Sequence, residues 1–239
     1  MKVVILQPSY IPWRGYFDQI CRADLFIFYD DVQYDKRGWR NRNQIKTPKG
    51  KQWLTIPVHG HGAQTENIPI HQIRIAWDNS WSQNHLKTLQ HSYVRAPHFD
   101  QYLPLLETFY KRRDEFLADF TIDFTIALAH ELGNTHTRFM RSSEIVGING
   151  QKTDRLIQIL QAVGGNHYIS GPSARDYIEK EKFDSAGIAL EYMEYNYPEY
   201  PQLYPPFDPF VSVLDLLLMT GSDAPDYIFQ GTYDQNSQP

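Results

Sequence analysis

Three short stretches in the first fifth of the chain hold residues equipped for chemistry. They are Gln7-Pro8-Ser9-Tyr10-Ile11-Pro12-Trp13-Arg14-Gly15-Tyr16, then Asp30-Asp31-Val32-Gln33, then Lys36-Arg37-Gly38-Trp39-Arg40-Asn41-Arg42-Asn43. Adjacent carboxylates such as Asp30 and Asp31 are a type that holds Mg²⁺ while phosphates complete its coordination, or that accepts a proton. Lys36, Arg37, Arg40, Arg42 and Lys46 suit the clamping of phosphate or carboxylate, with arginine best fitted to bidentate contacts. Gln33, Asn41 and Asn43 offer neutral hydrogen bonds to sugar hydroxyls or an amide. Trp13, Tyr16 and Trp39 offer stacking walls for a ring, and Gly15 permits close backbone approach. Further along, Ser170-Gly171-Pro172-Ser173-Ala174-Arg175-Asp176 reads as a turn whose free backbone N–H groups receive an anion. The expected site has Asp30, Asp31, Lys36 and Arg40 in catalysis, with Asp30 and Asp31 also as metal ligands. Gln7, Tyr10, Trp13, Gly15, Tyr16, Gln33, Trp39, Asn41, Arg42, Asn43, Ser170, Gly171, Arg175 and Asp176 are expected on the substrate. Each has a plainer alternative: Asp30-Asp31 as a turn, Trp13 as a core wedge, the basic run as a solvated face.

The elements that must position these groups follow from the hydrophobic pattern. Val3 to Leu6 is a short apolar run that suits a fully buried strand. Pro8 and Pro12 stiffen the loop after it, and Tyr16 to Arg22 reads as a short helix. Leu25 to Tyr29 is a second buried strand, which makes a parallel, right-handed βαβ unit. Ligands collect beyond the carboxyl ends of such strands, where Gln7–Trp13 and Asp30–Gln33 both fall. Trp53 to Val58 and Ile70 to Ile75 read as strands, and His59/His61 as a loop rather than a metal pair. From Ser80 to about Leu132 the spacing turns helical, with Pro97 as a break. Thr137–Met140, His167–Ile169 and Ile188–Met193 are further strands. Thr153 is a candidate N-cap for a helix facing the core through Leu156, Ile159, Leu160 and Val163. Tyr195 to Phe207, dense in Pro and Tyr, is a surface strap or a lid over the pocket. A buried helix is expected from Asp208-Pro209 through Met219, with Asp215 either a buried carboxylate or a surface one. The fold class is α/β, a parallel Rossmann-like sheet with a helical section. One domain spans 1–221, its helical section about 80–132, and a polar tail over 222–239 is expected to fray.

Composition narrows the function class. The 239 residues carry a net charge of -5 and 41% hydrophobic residues, so nucleic acid and anionic membrane are not expected partners. Cys21 is the single cysteine, which rules out an internal disulfide and fits a reducing compartment. It shares a helix face with Phe17 and Ile20 and reads as core. No signal peptide pattern opens the chain, and the apolar run Leu214–Met219 is too short to span a bilayer. A cytoplasmic location is expected. Phosphate-binding loops, nucleophile elbows, zinc helices and cysteine zinc frameworks are all missing from the sequence.

Longer motifs carry a resemblance. Gln7-Pro8-x-Tyr10-x-Pro12-Trp13-x-Gly15-Tyr16-Phe17, Asp30-Asp31-Val32-Gln33, Trp39-Arg40-Asn41-Arg42-Asn43 and Ser170-Gly171-Pro172-x-x-Arg175-Asp176-Tyr177 resemble the WbqC-like family. So do Pro201-Gln202-Leu203 and Ser212-Val213-Leu214-Asp215-Leu216-Leu217. That family is associated with bacterial surface-polysaccharide and O-antigen gene clusters. More distantly, the strand, Pro-rich loop and helix are similar to the nucleotidylyltransferase-like fold. Its pantothenate synthetase branch activates a carboxylate as an acyl-adenylate and passes it to an amine. The resemblance implies ATP and Mg²⁺, and a small-molecule substrate, either a sugar nucleotide or an amino acid or acyl donor. It also implies a transferase or ligase that forms an amide on an amino sugar. Where that fold carries His-x-Gly-His, this chain has Trp13-Arg14-Gly15-Tyr16, leaving Arg14, Lys36, Arg40 and Arg42 to stand in for the histidines. Their loss equally suits a non-catalytic sugar-nucleotide-binding or assembly protein.

Overall fold

The computed structural model describes residues 1–36, 38–59 and 67–229. Arg37 of the basic run, His61 of the histidine pair and residues 230–239 of the expected tail lie outside the described residues. Five strands form one sheet: β1 (Lys2–Leu6), β2 (Leu25–Phe28), β5 (Arg138–Arg141), β6 (His167–Ser170) and β7 (Ala189–Tyr192). Their order is β5-β2-β1-β6-β7, and every pairing is parallel. The chain winds outward from β1 through β2 to β5, then returns to the other side of β1 for β6 and β7. This is a Rossmann-like arrangement with its reversal of winding between β1 and β6.

Alternation along the buried strands feeds two cores. Val4, Phe26 and Phe28 face one cluster, shared with a helical section of α2 (Trp81–Tyr93), α3 (Phe99–Lys111) and α4 (Leu117–Glu131). Val3, Ile5, Leu25 and Ile27 face the other, packed by Leu156, Ile159 and Leu160 of α5 (Lys152–Ala162) and by Phe183 of α6 (Lys180–Ser185). Between β1 and β2 runs α1 (Arg14–Arg22), and Cys21 is buried on it. A separate antiparallel hairpin, β3 (Arg42–Thr47) with β4 (Gly50–Thr55), carries the end of the basic run.

Several local expectations are corrected. Ile70 to Ile75 is no strand: Ile70–Gln72 is a single 3-10 turn, and only isolated bridges tie Ile75 to Val58 and Arg74 to Phe116. Its apolar spacing is met by burying Ile70 and Ile73 three residues apart, which a 3-10 turn places on one side. The strand expected over Trp53–Val58 ends at Thr55, and Pro57 has no N–H to extend it. Thr153 lies inside α5, where its Oγ1 accepts from Glu179 N at 3.2 Å; Gln151 holds the cap position. The last helix, α7 (Val213–Thr220), starts later than Asp208-Pro209. Ser212 bridges Trp13 and donates its backbone N–H to Gln44 O at 2.9 Å, so the chain stays extended until Ser212 Oγ caps Leu214 N at 3.3 Å. Beyond Ser222 the described residues do not fray: Gly221–Tyr227 is 3-10 helical, with Ala224, Ile228 and Phe229 buried. Asp215 is fully buried and accepts from Tyr93 Oη at 2.7 Å and Tyr200 Oη at 2.9 Å.

Tyr10 joins the loop after β1 to the helical section. Its hydroxyl faces His85 Nδ1 at 3.0 Å and pairs with Tyr110 Oη. Burial pulls the His85 pKa down to about 4, opposed by a backbone hydrogen bond with Thr55. The unfolded chain, with a histidine pKa near 6.5, takes up a proton that the folded state refuses. Stability is therefore fully present above pH ~6.5 and falls as the pH drops toward ~4, by roughly 3 kcal/mol in all. Denaturant unfolding between pH 4 and 7 should show His85→Gln losing this component of the slope, whereas equal slopes for the two proteins would contradict it.

Candidate functional site

The loop leaving β1 is held in an unusual shape. Ile11 has φ 37°, a conformation costly for a β-branched residue. Asn43 Nδ2 stabilises it by donating to Tyr10 O at 3.2 Å and Ile11 O at 2.9 Å. Trp13 then lies across Gly15, where an added Cβ would stand 2.6 Å from Trp13 Cη2. The indole also meets Tyr195 edge-on, with centroids 4.9 Å apart, and Phe210 at 6.0 Å.

The Pro/Tyr segment after β7 is tied down along its length. Arg14 Nη1 donates to Pro198 O at 2.8 Å and Tyr227 O at 3.2 Å, and its guanidinium lies 4.8 Å from the Tyr197 ring centroid. Tyr197 Oη donates to Asp18 at 2.8 Å, and Lys46 Nζ donates to Gln202 Oε1 at 2.9 Å and to the carbonyls of Tyr204 and Pro206. Arg14 and Lys46 therefore fasten a wall, and neither lines the cavity behind it.

That cavity, of about 660 Å³, opens at the reversal between β1 and β6, a size usual for small-molecule sites. Its floor includes the buried Ile5, Tyr16, Tyr168 and Ser170, and its mouth the exposed Trp39, Lys152, Tyr177 and Phe210. Arg40 reaches in from the basic run and donates from Nη1 to Gln7 Oε1 at 2.5 Å, while Tyr16 Oη donates to Gln7 O at 3.1 Å. Among the described residues, Arg40 and Lys152 are the charged groups of the lining, and no Asp, Glu, His or Cys belongs to it. Burial lowers the Arg40 pKa, and Tyr16 and Asp35 oppose it. Burial raises the Tyr16, Tyr29 and Tyr195 phenols, so they stay protonated at neutral pH. Tyr195 Oη accepts from Gln19 Nε2 at 2.7 Å and so keeps its own proton for another acceptor, while the Arg155 guanidinium lies 5.9 Å from the Tyr29 ring centroid. The lining is rich in donors and cations, and suits an oxyanion attached to a ring.

Of the residues expected on chemical grounds, Gln7, Trp13, Tyr16, Trp39, Arg40, Asn43, Ser170 and Gly171 do meet in this lining, and Gly15 supports Trp13. The others stand elsewhere. Tyr10 is in the core against α2 and α3. Asp30 is fully buried and accepts from Ser143 N and Ser143 Oγ, each at 3.0 Å, and from Ser142 Oγ at 3.3 Å. Asp31 accepts from Ser142 Oγ at 2.6 Å and pairs with Arg155. With their oxygens taken by these donors, the two carboxylates do not fit a Mg²⁺ facing the cavity; they tie the end of β2 to the turn after β5 and to α5. Asn41 Nδ2 donates to Ile56 O at 2.7 Å, and Arg42 sits 4.6 Å from the Trp53 ring centroid. Gln33 bridges Pro69, Lys36 is exposed, Arg175 lies 5.0 Å from the Tyr192 centroid, and Asp176 is exposed.

Tyr29, Lys152, Tyr168, Tyr177 and Tyr195 are lining residues that the sequence reading passed over. Lys152 had a usable signal. It is a cation in the first turn of a helix, where the dipole disfavours it, and its φ of 48° adds backbone strain. Tyr29 follows directly on β2, at the ligand-bearing edge.

A family model described as the WbqC-like protein family matches residues 7–227. The chain belongs to the WbqC-like protein family. An uncharacterized protein of Mycobacterium tuberculosis (strain ATCC 25618 / H37Rv), Rv1507c, is 40% identical over 229 residues, which cover 95% of this chain and 97% of that protein. No solved structure matches. Among the described residues of this WbqC-like chain, no group of three or more His, Cys, Asp or Glu is placed to hold a metal, and no helix is long and apolar enough to cross a membrane.

The Trp13–Gly15 contact can be tested in isolation. Alanine normally stabilises a helix over glycine by about 1 kcal/mol, yet Gly15→Ala should destabilise this WbqC-like protein by about 1–3 kcal/mol by crowding the indole. Thermal unfolding with near-ultraviolet circular dichroism reads both the loss and the displaced tryptophan. Unchanged or raised stability would contradict the packing.

Proposed function

We propose that this WbqC-like protein is a small-molecule transferase or ligase. It acts on a nucleotide-linked amino sugar of surface-polysaccharide biosynthesis and forms an amide on that sugar from an activated carboxylate. One observation carries the reading: a cavity at the winding reversal contains Arg40, Lys152 and phenolic donors, and no carboxylate among its described lining residues. In a cleft partly screened from water, the half-buried Arg40 attracts a phosphate more strongly than a surface cation would, and the exposed Lys152 adds charge at the mouth. Trp13, Tyr16, Tyr168 and Tyr195 supply ring faces for the sugar.

In amide formation the neutral amine attacks the acyl carbon, and the C–N bond forms as the C–O bond to the leaving group breaks. That group departs as an oxyanion, and the surplus proton of the amine passes to solvent water. Arg40 and Lys152 would stabilise that oxyanion as it forms. ATP is the proposed source of activation. Asp30 and Asp31 would serve the site from behind its wall, through Arg155 and the end of β2. A second reading, a sugar-nucleotide-binding or assembly protein of the same pathway, draws on the same lining: its described residues include no His or carboxylate to act as a base.

Incubation with ATP, Mg²⁺, amino acids or acyl donors, and nucleotide-linked amino sugars separates the readings. Release of AMP, ADP or pyrophosphate together with an amide supports the enzyme. Tight binding without turnover across the panel supports the binding protein. In either case Arg40→Ala and Lys152→Ala should each weaken sugar-nucleotide affinity by roughly 10- to 100-fold, the worth of a hydrogen bond to a charged group. Titration calorimetry that finds affinity unchanged in both variants would overturn the assignment of the cavity.

A further inference from the structure

Large apolar side chains left in water are unevenly placed on this molecule. Trp39 is 45% exposed and Trp53 41%, and the two indoles lie together, with centroids 5.2 Å apart and planes inclined by 34°. The pair stands at the mouth of the cavity, because Trp39 lines it and the next residue, Arg40, reaches inside. Arg42 braces the assembly from the Trp53 side, 4.6 Å from that ring centroid. The hairpin fixes these positions: Trp53 is in β4 opposite Gln44, and Trp39 O accepts from Tyr10 N at 3.1 Å. A hairpin needs no exposed stack of this kind to bury its inner face, since Ile45 and Leu54 already do so.

We infer that the outer face of the Trp39–Trp53 pair is a subsite for the heterocyclic base of a nucleoside diphosphate whose phosphates lie against Arg40. This rests on the reading of the cavity as a sugar-nucleotide site. Such a ligand is linear, with its phosphates between the sugar and the nucleoside. If Arg40 holds the phosphates at the inner edge of the mouth, one end extends to the aromatic floor and the other emerges beside Trp39. A base has a flat π-face that stacks on an indole whatever its ring substituents, and adjacent arginines strengthen the stack. Arg40 and Arg42 flank the platform, Asp35 offsets part of the Arg40 charge from outside the cavity, and no carboxylate is among the described cavity residues. Trp39 is then the residue that distinguishes a nucleotide from a plain sugar phosphate.

The test compares uridine and adenosine diphosphates with two base-free probes, inorganic pyrophosphate and glucose 1-phosphate. Affinities come from calorimetry, and stacking from quenching of tryptophan fluorescence. The intact protein should bind at least one nucleoside diphosphate roughly 10- to 100-fold more tightly than pyrophosphate. Trp39→Ala should erase that advantage and the quench while leaving pyrophosphate affinity within about twofold; Trp39→Phe should keep most of the advantage. A merely structural stack would instead lower thermal stability and leave the preference intact. If Trp39→Ala keeps the full preference while Arg40→Ala weakens every probe, the platform is wrong and the cavity reading stands. If no phosphorylated probe binds the intact protein, both fall together.

Discussion

All five strands of the sheet run in one direction, so all five carboxyl ends lie on one edge, and the winding reverses there between β1 and β6. At a reversal the connections leave toward opposite faces, and no crossover covers the gap between the two strand ends. The cavity is the consequence. Its walls come from the loop after β1 and, more than a hundred residues later, the first turn of α5 and the turn after β6. Each can place a donor in the same small volume only because the parallel register holds β1 and β6 side by side.

The rest of the site depends on how the open side is closed, and Arg14 is central to that closure. It is only 3% exposed and lies beneath Tyr197, with Tyr200 and Phe207 close by. A guanidinium so placed requires acceptors, and two backbone carbonyls provide them, Pro198 O and Tyr227 O. One arginine thus fastens both the strap after β7 and the final 3-10 segment to the start of α1. Trp13 and Tyr195, which line the cavity, are held between these anchors. The neighbouring Asp30–Asp31 pair does comparable work on the opposite side, fixing α5 and through it Lys152. Charged residues that look catalytic by type thus divide into two groups here. Some hold the walls, and a few face the ligand space.

The division explains what could be read from the chain beforehand. Buried strands β1 and β2 were legible because both faces of each are covered, which leaves an unbroken apolar run. The ligand-bearing edge followed from their parallel pairing, and Gln7 and Trp13 followed from that edge, whereas Tyr16 and Arg40 were read from their chemical types and Ser170-Gly171 from its turn. Side-chain direction was not legible. Asp30 and Asp31 sit at the right edge but turn toward Ser142 and Ser143, partners 111 to 113 residues away in the chain. Tyr29 was hidden for the reverse reason, since it closes an apolar run, and Lys152 carried only the weak signal of a cation at the start of a helix. Ile70 to Ile75 misled because apolar alternation serves a 3-10 turn with single bridges as well as it serves a strand.

The most direct test of the central claim is a crystal structure of the protein with a nucleotide-linked amino sugar. The account predicts phosphate oxygens within hydrogen-bonding distance of the Arg40 guanidinium, the sugar among Trp13, Tyr16 and Tyr168, and Asp30 and Asp31 still bonded to Ser142 and Ser143. Phosphates bound away from Arg40, or held through Asp30 and Asp31 by a metal, would contradict it.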